Sequence, residues 1–275
     1  MSTNLHVPAI RTGSMRKSGS SSSLRHSVEQ ENELAPVTRS RRNSDSHVPA
    51  APRALDRPPS QHVKDTTLLY AGRAHKALVF DTAQLKAKVP YFKKLLTETP
   101  DPSPEQTTFE DADEASLALF HSWVGGKALH GPTDWHSIGH YLGLYALAWK
   151  FGCEDLENRV VDLIRAHYAK EQMTAPPYRL EYIHTYAPHS LMESFLFTTA
   201  AFRCMTSREE PAISAVMKST MARDSEMAAE FADALVRVHR AEGKDARHGP
   251  SCPAWHVHQV TKMCAPEMEE AWAPE

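Results

Sequence analysis

Four residues near the C-terminus carry the most chemistry in this sequence. They lie in the run Cys252-Pro253-Ala254-Trp255-His256-Val257-His258-Gln259-Val260-Thr261-Lys262-Met263-Cys264, with the spacing C-x3-H-x-H-x5-C. Two thiolates and two imidazoles are a donor set for tetrahedral zinc. In an extended segment His256 and His258 point the same way, because strand side chains alternate. The spacing is not that of an established zinc finger. The other reading of the same residues is a short strand or tail that packs on helices with its side chains unliganded.

The N-terminal region offers a different chemistry. Arg41-Arg42-Asn43-Ser44 and Arg25-His26-Ser27 place basic residues two or three positions before a serine. Basophilic kinases read this pattern, so Ser44 and Ser27 are predicted phosphorylation sites. A phosphate there adds roughly −1.5 to −2 of charge and can create an epitope for arginine. Arg39-Ser40-Arg41-Arg42 also has the composition of a short nuclear-import signal.

Catalytic signatures are missing. The sequence has no G-x-S-x-G elbow, P-loop, H-E-x-x-H or G-x-G-x-x-G. Its 16 histidines are dispersed, as in His75, His121, His130, His136, His140 and His184. None stands in a nucleophile or paired-carboxylate context, so no catalytic or cofactor-binding residue is assigned and the chain is read as a non-enzyme.

Charge and hydropathy divide the chain. The net charge of −3 hides a tail, residues 1–64, with ten Lys or Arg against five acids, which leaves −8 on the remainder. An acidic remainder argues against a folded nucleic-acid-binding surface. Residues 1–64 are rich in Ser, Pro and Arg and poor in aliphatic clusters. They cannot bury enough apolar surface to offset ordering entropy, and are read as a disordered tail. Hydrophobic residues are 41% of the chain, enough for a core elsewhere. No stretch reaches the ~20 apolar residues of a membrane span. No secretory h-region is present at the N-terminus, so cytoplasm or nucleus is the expected compartment. In such a reducing compartment the four cysteines are thiols or ligands before they are bridges.

The elements that must position these groups begin at about residue 65. Strands are expected at Thr66–Tyr70 and Ala77–Phe80, joined by a turn at Gly72. Asp81 caps a helix through Lys88, and Pro90 opens another to Thr97. A proline-rich loop, residues 98–106, leads to a third strand at Thr107–Phe109. Asp113 caps a helix over Glu114–Val124, whose Leu117, Phe120 and Val124 share one face. Further helices are predicted over Ile138–Phe151, from Glu154 or Asp155 to Tyr168, and over Tyr178–Tyr186, Ser190–Cys204 and Glu226–Arg240. Residues 241–250 are polar with Gly and Pro and read as a flexible link.

Three phrases in this order are more specific. They are Leu78-Val79-Phe80 with Leu85 and Val89-Pro90-Tyr91-Phe92-Lys93-Lys94-Leu95-Leu96; Phe109-Glu110-Asp111-Ala112-Asp113 leading to Phe120-His121-Ser122-Trp123-Val124 and Gly126; and Leu144-Tyr145-Ala146-Leu147-Ala148-Trp149-Lys150-Phe151-Gly152 with Leu156-Glu157-Asn158. Together they resemble the BTB/POZ domain in the form common in filamentous fungi. The resemblance covers about residues 65–170. It departs at Phe80-Asp81-Thr82, where the family usually has Val-His-Lys. It departs again at Val89, where a Ser precedes Pro-Tyr-Phe, and at Val124, where a Tyr follows the Trp.

The resemblance implies an α+β fold, a small β-sheet with helical hairpins, over 65–170. A mostly α-helical extension over 171–241 and a link and tail over 242–275 follow it. It also implies homo- or hetero-oligomerisation and an adaptor role, with a cullin ubiquitin-ligase scaffold or a transcriptional complex as partner. Fungal members often end in an aromatic-His-x-His phrase near a Cys, which the Trp255–His258 run resembles. The alternative reading is a structural zinc protein that uses Cys252, His256, His258 and Cys264.

Overall fold

The first two strands owe their pairing to a tight reversal. Gly72 takes a left-handed conformation (φ 63°), and His75 N–H donates to its carbonyl at 3.1 Å. This brings β1 (Thr66–Ala71) against β2 (Lys76–Asp81), antiparallel, with Thr66 opposite Asp81. Alternation puts Leu69 and Ala71 of β1 and Phe80 of β2 in the core. Tyr70 and Ala71 also pair, in parallel, with the two-residue β3 (Thr108–Phe109), so the sheet order is β2-β1-β3. The computed structural model describes residues 65–72, 74–208 and 210–264. The predicted Ser27 and Ser44 sites and the predicted disordered tail lie outside the described residues.

Helices supply the rest, and their starts follow their caps. The Asp81 carboxylate accepts from Gln84 N–H and opens α1 (Thr82–Lys88); Pro90 opens α2 (Pro90–Glu98). The expected loop before β3 contains a turn of helix, α3 (Pro104–Thr107). It forms because Ser103 and Gln106 make a reciprocal capping box. Asp113 caps α4 (Glu114–Val124). Helix α5 (Trp135–Phe151) starts three residues before the expected Ile138, because Asp134 and Ser137 cap each other. Gly152 ends it in the left-handed region (φ 66°), and α6 (Glu154–Lys170) follows at once.

The structure is thus mixed α+β and mostly helical, with one small three-stranded sheet. The core beneath the sheet is aromatic. Phe151 lies 5.0–5.4 Å, centroid to centroid, from Tyr91, Phe92, Phe109 and Phe120, so one ring gathers α2, β3, α4 and α5. Helix α5 shows more than the single expected stripe of Leu144, Leu147, Ala148 and Phe151. Ile138, Tyr141, Leu142 and Tyr145 are buried as well, because α4, α6 and α7 (Pro177–Tyr186) pack around it.

Beyond it, α8 (Leu191–Thr206) packs against α10 (Ser225–Arg240). The buried Met227, Phe231, Ala234 and Val238 form the expected apolar stripe of α10. Between them lies α9 (Ala215–Arg223), which the sequence reading missed. It is short and buries only Met217 and Thr220. All the described residues fall in one unit that begins at Lys64. Among them no helix is long and apolar enough to cross a membrane.

One close approach is specific. A Cβ built on Gly143 of α5 would lie 2.1 Å from Ser116 Oγ and 2.9 Å from Ser116 Cβ of α4. The absence of a side chain lets the two helices meet there and lets Ser116 Oγ donate to His140 O at 2.9 Å. Gly143→Ala is expected to destabilise the chain by about 1–3 kcal/mol through overpacking. Combined with Ser116→Gly, the loss should be smaller than the sum of the single losses. Thermal unfolding of the three variants checks this, and strictly additive losses contradict the close approach.

Candidate metal centre

Helix α6 has two faces. Leu156, Val160, Ile164 and Tyr168 are buried in the core. Glu154, Asn158, Asp162 and Arg165 form a second stripe at spacings of four, four and three, which is one side of a helix. That polar stripe holds the segment after α10. Residues 241–250, whose Gly and Pro suggested a flexible link, are instead tied down at several points. Arg165 donates to the carbonyls of Ala246 (3.1 Å), His248 (3.4 Å) and Gly249 (3.2 Å), and to Ser251 Oγ. Arg247 grips the Asp245 carboxylate and donates to Met173 O at 2.8 Å. The Gly and Pro residues here set the direction of turns rather than loosening the chain.

Further along, Asn158 reads one residue's backbone from both sides. Its Nδ2 donates to Val257 O at 2.9 Å, and its Oδ1 accepts from Val257 N–H at 2.8 Å. Glu154 accepts from the N–H groups of Gln259, Val260 and Thr261 at 2.9–3.1 Å, and from Thr261 Oγ1 at 2.9 Å. Trp255 closes the segment edge-on against Phe195 of α8, with centroids 5.5 Å apart.

These tethers bring Cys252, His256, His258 and Cys264 together, with one donor atom from each, all within 4.8 Å of one another. Cys252 Sγ is 3.5 Å and Cys264 Sγ 3.7 Å from His258 Nε2; Cys264 Sγ is 3.2 Å from His256 Nδ1. Zinc bonds of ~2.3 Å to sulfur and ~2.0–2.1 Å to nitrogen, at tetrahedral angles, require sulfur–nitrogen separations of about 3.5 Å. The cluster therefore has the size of a four-coordinate metal site, and its Cys2His2 set can bind a metal. Among the described residues it is the one such group.

The histidine tautomers fit as well. Asp162 Oδ1 lies 2.9 Å from His256 Nε2. A carboxylate accepts, so Nε2 carries the proton and Nδ1 keeps a lone pair facing the cluster. For His258 the relay is longer. The Thr261 hydroxyl donates to Glu154, so its oxygen is free to accept from His258 Nδ1, 3.2 Å away. That leaves His258 Nε2 unprotonated toward the two sulfurs.

The charges agree with these roles. Burial draws the Asp162 carboxyl upward, but hydrogen bonds from His256 and Ser251 outweigh it and hold the group below the usual carboxylate range. Burial acts on Glu154 in the same sense and is outweighed by its donors on Thr261, Val260 and Gln259. Burial brings the Arg165 guanidinium down to about 10. All four cysteines are free thiols. Cys153 is buried in the core, and burial pushes its thiol up.

The sequence reading named the four donors but not what holds them. His256 and His258 do not converge by strand alternation. The segment is irregular, the two rings are inclined at 71°, and each offers a different nitrogen. Of the dispersed histidines, His184 sits 2.6 Å from the buried Glu193 carboxylate and His140 3.2 Å from Asp113. Compared with known proteins, the chain matches no family model, no curated protein and no solved structure.

The depressed carboxyls give a pH test on the chelator-stripped chain. A carboxyl lowered by folding contributes stability that is full above its unfolded value, about pH 4, and is lost as pH falls through its folded value. Glu154→Gln is expected to cost about 1 kcal/mol at pH 7 by removing the charged acceptor of these part-buried donors. The gap to wild type should narrow below about pH 4. Denaturant titrations across that range measure it; a gap independent of pH contradicts the role of the carboxylate.

Proposed function

We infer that this chain is a protein–protein interaction module of the BTB/POZ type, not an enzyme, and that a structural zinc ion cross-links its C-terminal segment beside α6. The observation that carries the zinc half is the closed four-donor set, with Asp162 and the Thr261 hydroxyl placed to accept from the far ring nitrogens of His256 and His258. Structural zinc takes four protein ligands, whereas catalytic zinc keeps a position open for water or substrate. Bound there, zinc supplies no reaction; it cross-links the segment to itself beside α6. Asp162 acts through His256 by fixing its tautomer and raising its basicity.

The module half is supported by the element order: strand, strand, helix, helix, the one-turn α3, strand, helix, then a helix pair. It is the order in which the three BTB-like phrases fall, now with β1 as the middle strand of the sheet. On this reading the chain works by self-association or by docking a protein partner such as a cullin scaffold or a transcriptional assembly. Specific interfaces of this kind bury ~1,200–2,000 Å². The helices α7 to α10 extend the surface offered. The acidic remainder of the chain suits protein partners better than nucleic acid. Zinc-bound thiolates and unpaired cysteines suit the reducing cytoplasm or nucleus.

Size exclusion with light scattering, with zinc quantified in the same peak, tests both halves. A dimer or larger species that survives dilution, carrying one zinc per chain, is expected. A monomer at every concentration contradicts self-association; a peak without zinc contradicts the cross-link. Asp162→Asn should leave the oligomeric state unchanged and weaken zinc binding about 10–100-fold, read by competition with a chromophoric chelator.

A further inference from the structure

The two sulfurs of the cluster are held very differently. Cys252 is buried, and its neighbour Ser251 is anchored to Asp162 at 2.5 Å. Cys264 is half-exposed. The last hydrogen bonds from α6 to the segment end at Thr261. Beyond it Met263 is exposed, and Cys264 is held through its own sulfur, by His256 and His258. One thiolate is thus fixed and shielded. The other is half-exposed, stands three residues past the last hydrogen bond that the described residues make to α6, and lies within 4.8 Å of the first.

From this asymmetry we propose that Cys264 and Cys252 form a peroxide-sensitive oxidation site, at which Cys264 is attacked first, Cys252 resolves it as an intramolecular disulfide, and the zinc ion is expelled. The proposal rests on the zinc reading above, because metal coordination keeps both sulfurs as thiolates, the form that oxidants attack.

The steps balance. The Cys264 thiolate attacks one oxygen of a hydroperoxide; the O–O bond breaks, Cys264 becomes a sulfenic acid and hydroxide leaves. The Cys252 thiolate attacks that sulfur; the S–S bond forms and the sulfenic oxygen leaves as a second hydroxide. Each hydroxide takes a proton to become water. The two thiolates lose two electrons, the peroxide gains them, and zinc departs for want of its two anionic ligands. A disulfide needs sulfurs ~2.05 Å apart, so one must move. Cys264 can, because among the described residues no hydrogen bond holds its backbone to α6. Thiol-disulfide exchange with a dithiol reverses the process and rebuilds the donor set.

The other cysteines are poorly placed to compete. Cys153 is shut in the core, and Cys204 on α8 stands outside the Cys/His cluster, so no metal holds either as a thiolate. The site is therefore selective within the chain.

The full chain, purified with its zinc, is treated with one equivalent of hydrogen peroxide per zinc while release is followed with a chromophoric chelator. The oxidised protein is then digested and mapped without reduction. Release of the zinc with a Cys252–Cys264 cross-link, reversed by dithiothreitol plus zinc, is expected. Replacing Cys204 by Ser should leave the response unchanged. Zinc that stays bound under peroxide, or a cross-link through Cys153 or Cys204, overturns the proposal and leaves the zinc reading standing. A chain that takes up no zinc overturns both.

Discussion

Helix α6 is the element that ties the C-terminal end of the described chain to the core. Its apolar side is core, and its polar side satisfies the backbone of a segment 81 to 107 residues away. Glu154 alone takes three N–H groups and a hydroxyl. Arg165 takes three carbonyls and a hydroxyl. The segment has no helix or strand to satisfy its own polar groups, so these side chains stand in for secondary structure. Their charged members make the stronger kind of hydrogen bond, and removal of one takes several partners' hydrogen bonds at once.

The Cys/His cluster grows out of that arrangement. Asp162 serves Ser251 and His256, so the same carboxylate anchors the chain before Cys252 and orients a donor after it. Glu154 positions His258 through Thr261 while holding the backbone that leads to Cys264. Tethering and ligation are therefore coupled: the residues that dock the segment are those that set the histidine tautomers. Among the apolar residues of this segment, only Ala246, Cys252 and Trp255 are buried or packed against the core. Ordering it thus depends on polar contacts, and a bound metal would add to them.

Legibility in the sequence followed the range of the signal. Asp81, Asp113, Pro90 and Gly152 are local stop and start signals, and the helices they bound lie close to where they were expected. The apolar stripe of α10 was readable for the same reason. Helix α3 was hidden in a run of prolines, and α9 in a segment with too few buried positions to show a period. The four donors could be named because they fall within thirteen residues. Their supports could not: Asn158 and Val257 are 99 positions apart, and a polar stripe on an amphipathic helix looks like an ordinary solvated face. The signal that existed was its spacing, with Glu154, Asn158, Asp162 and Arg165 on one side.

The central claim is that the C-terminal segment is clipped by a four-coordinate zinc centre made of these side chains. X-ray absorption at the zinc edge of the full chain tests it most directly. Two sulfur scatterers at ~2.3 Å and two imidazole nitrogens at ~2.0–2.1 Å, with no further light ligand, are expected. A zinc ion with an oxygen or water ligand, or with a single sulfur, would contradict it.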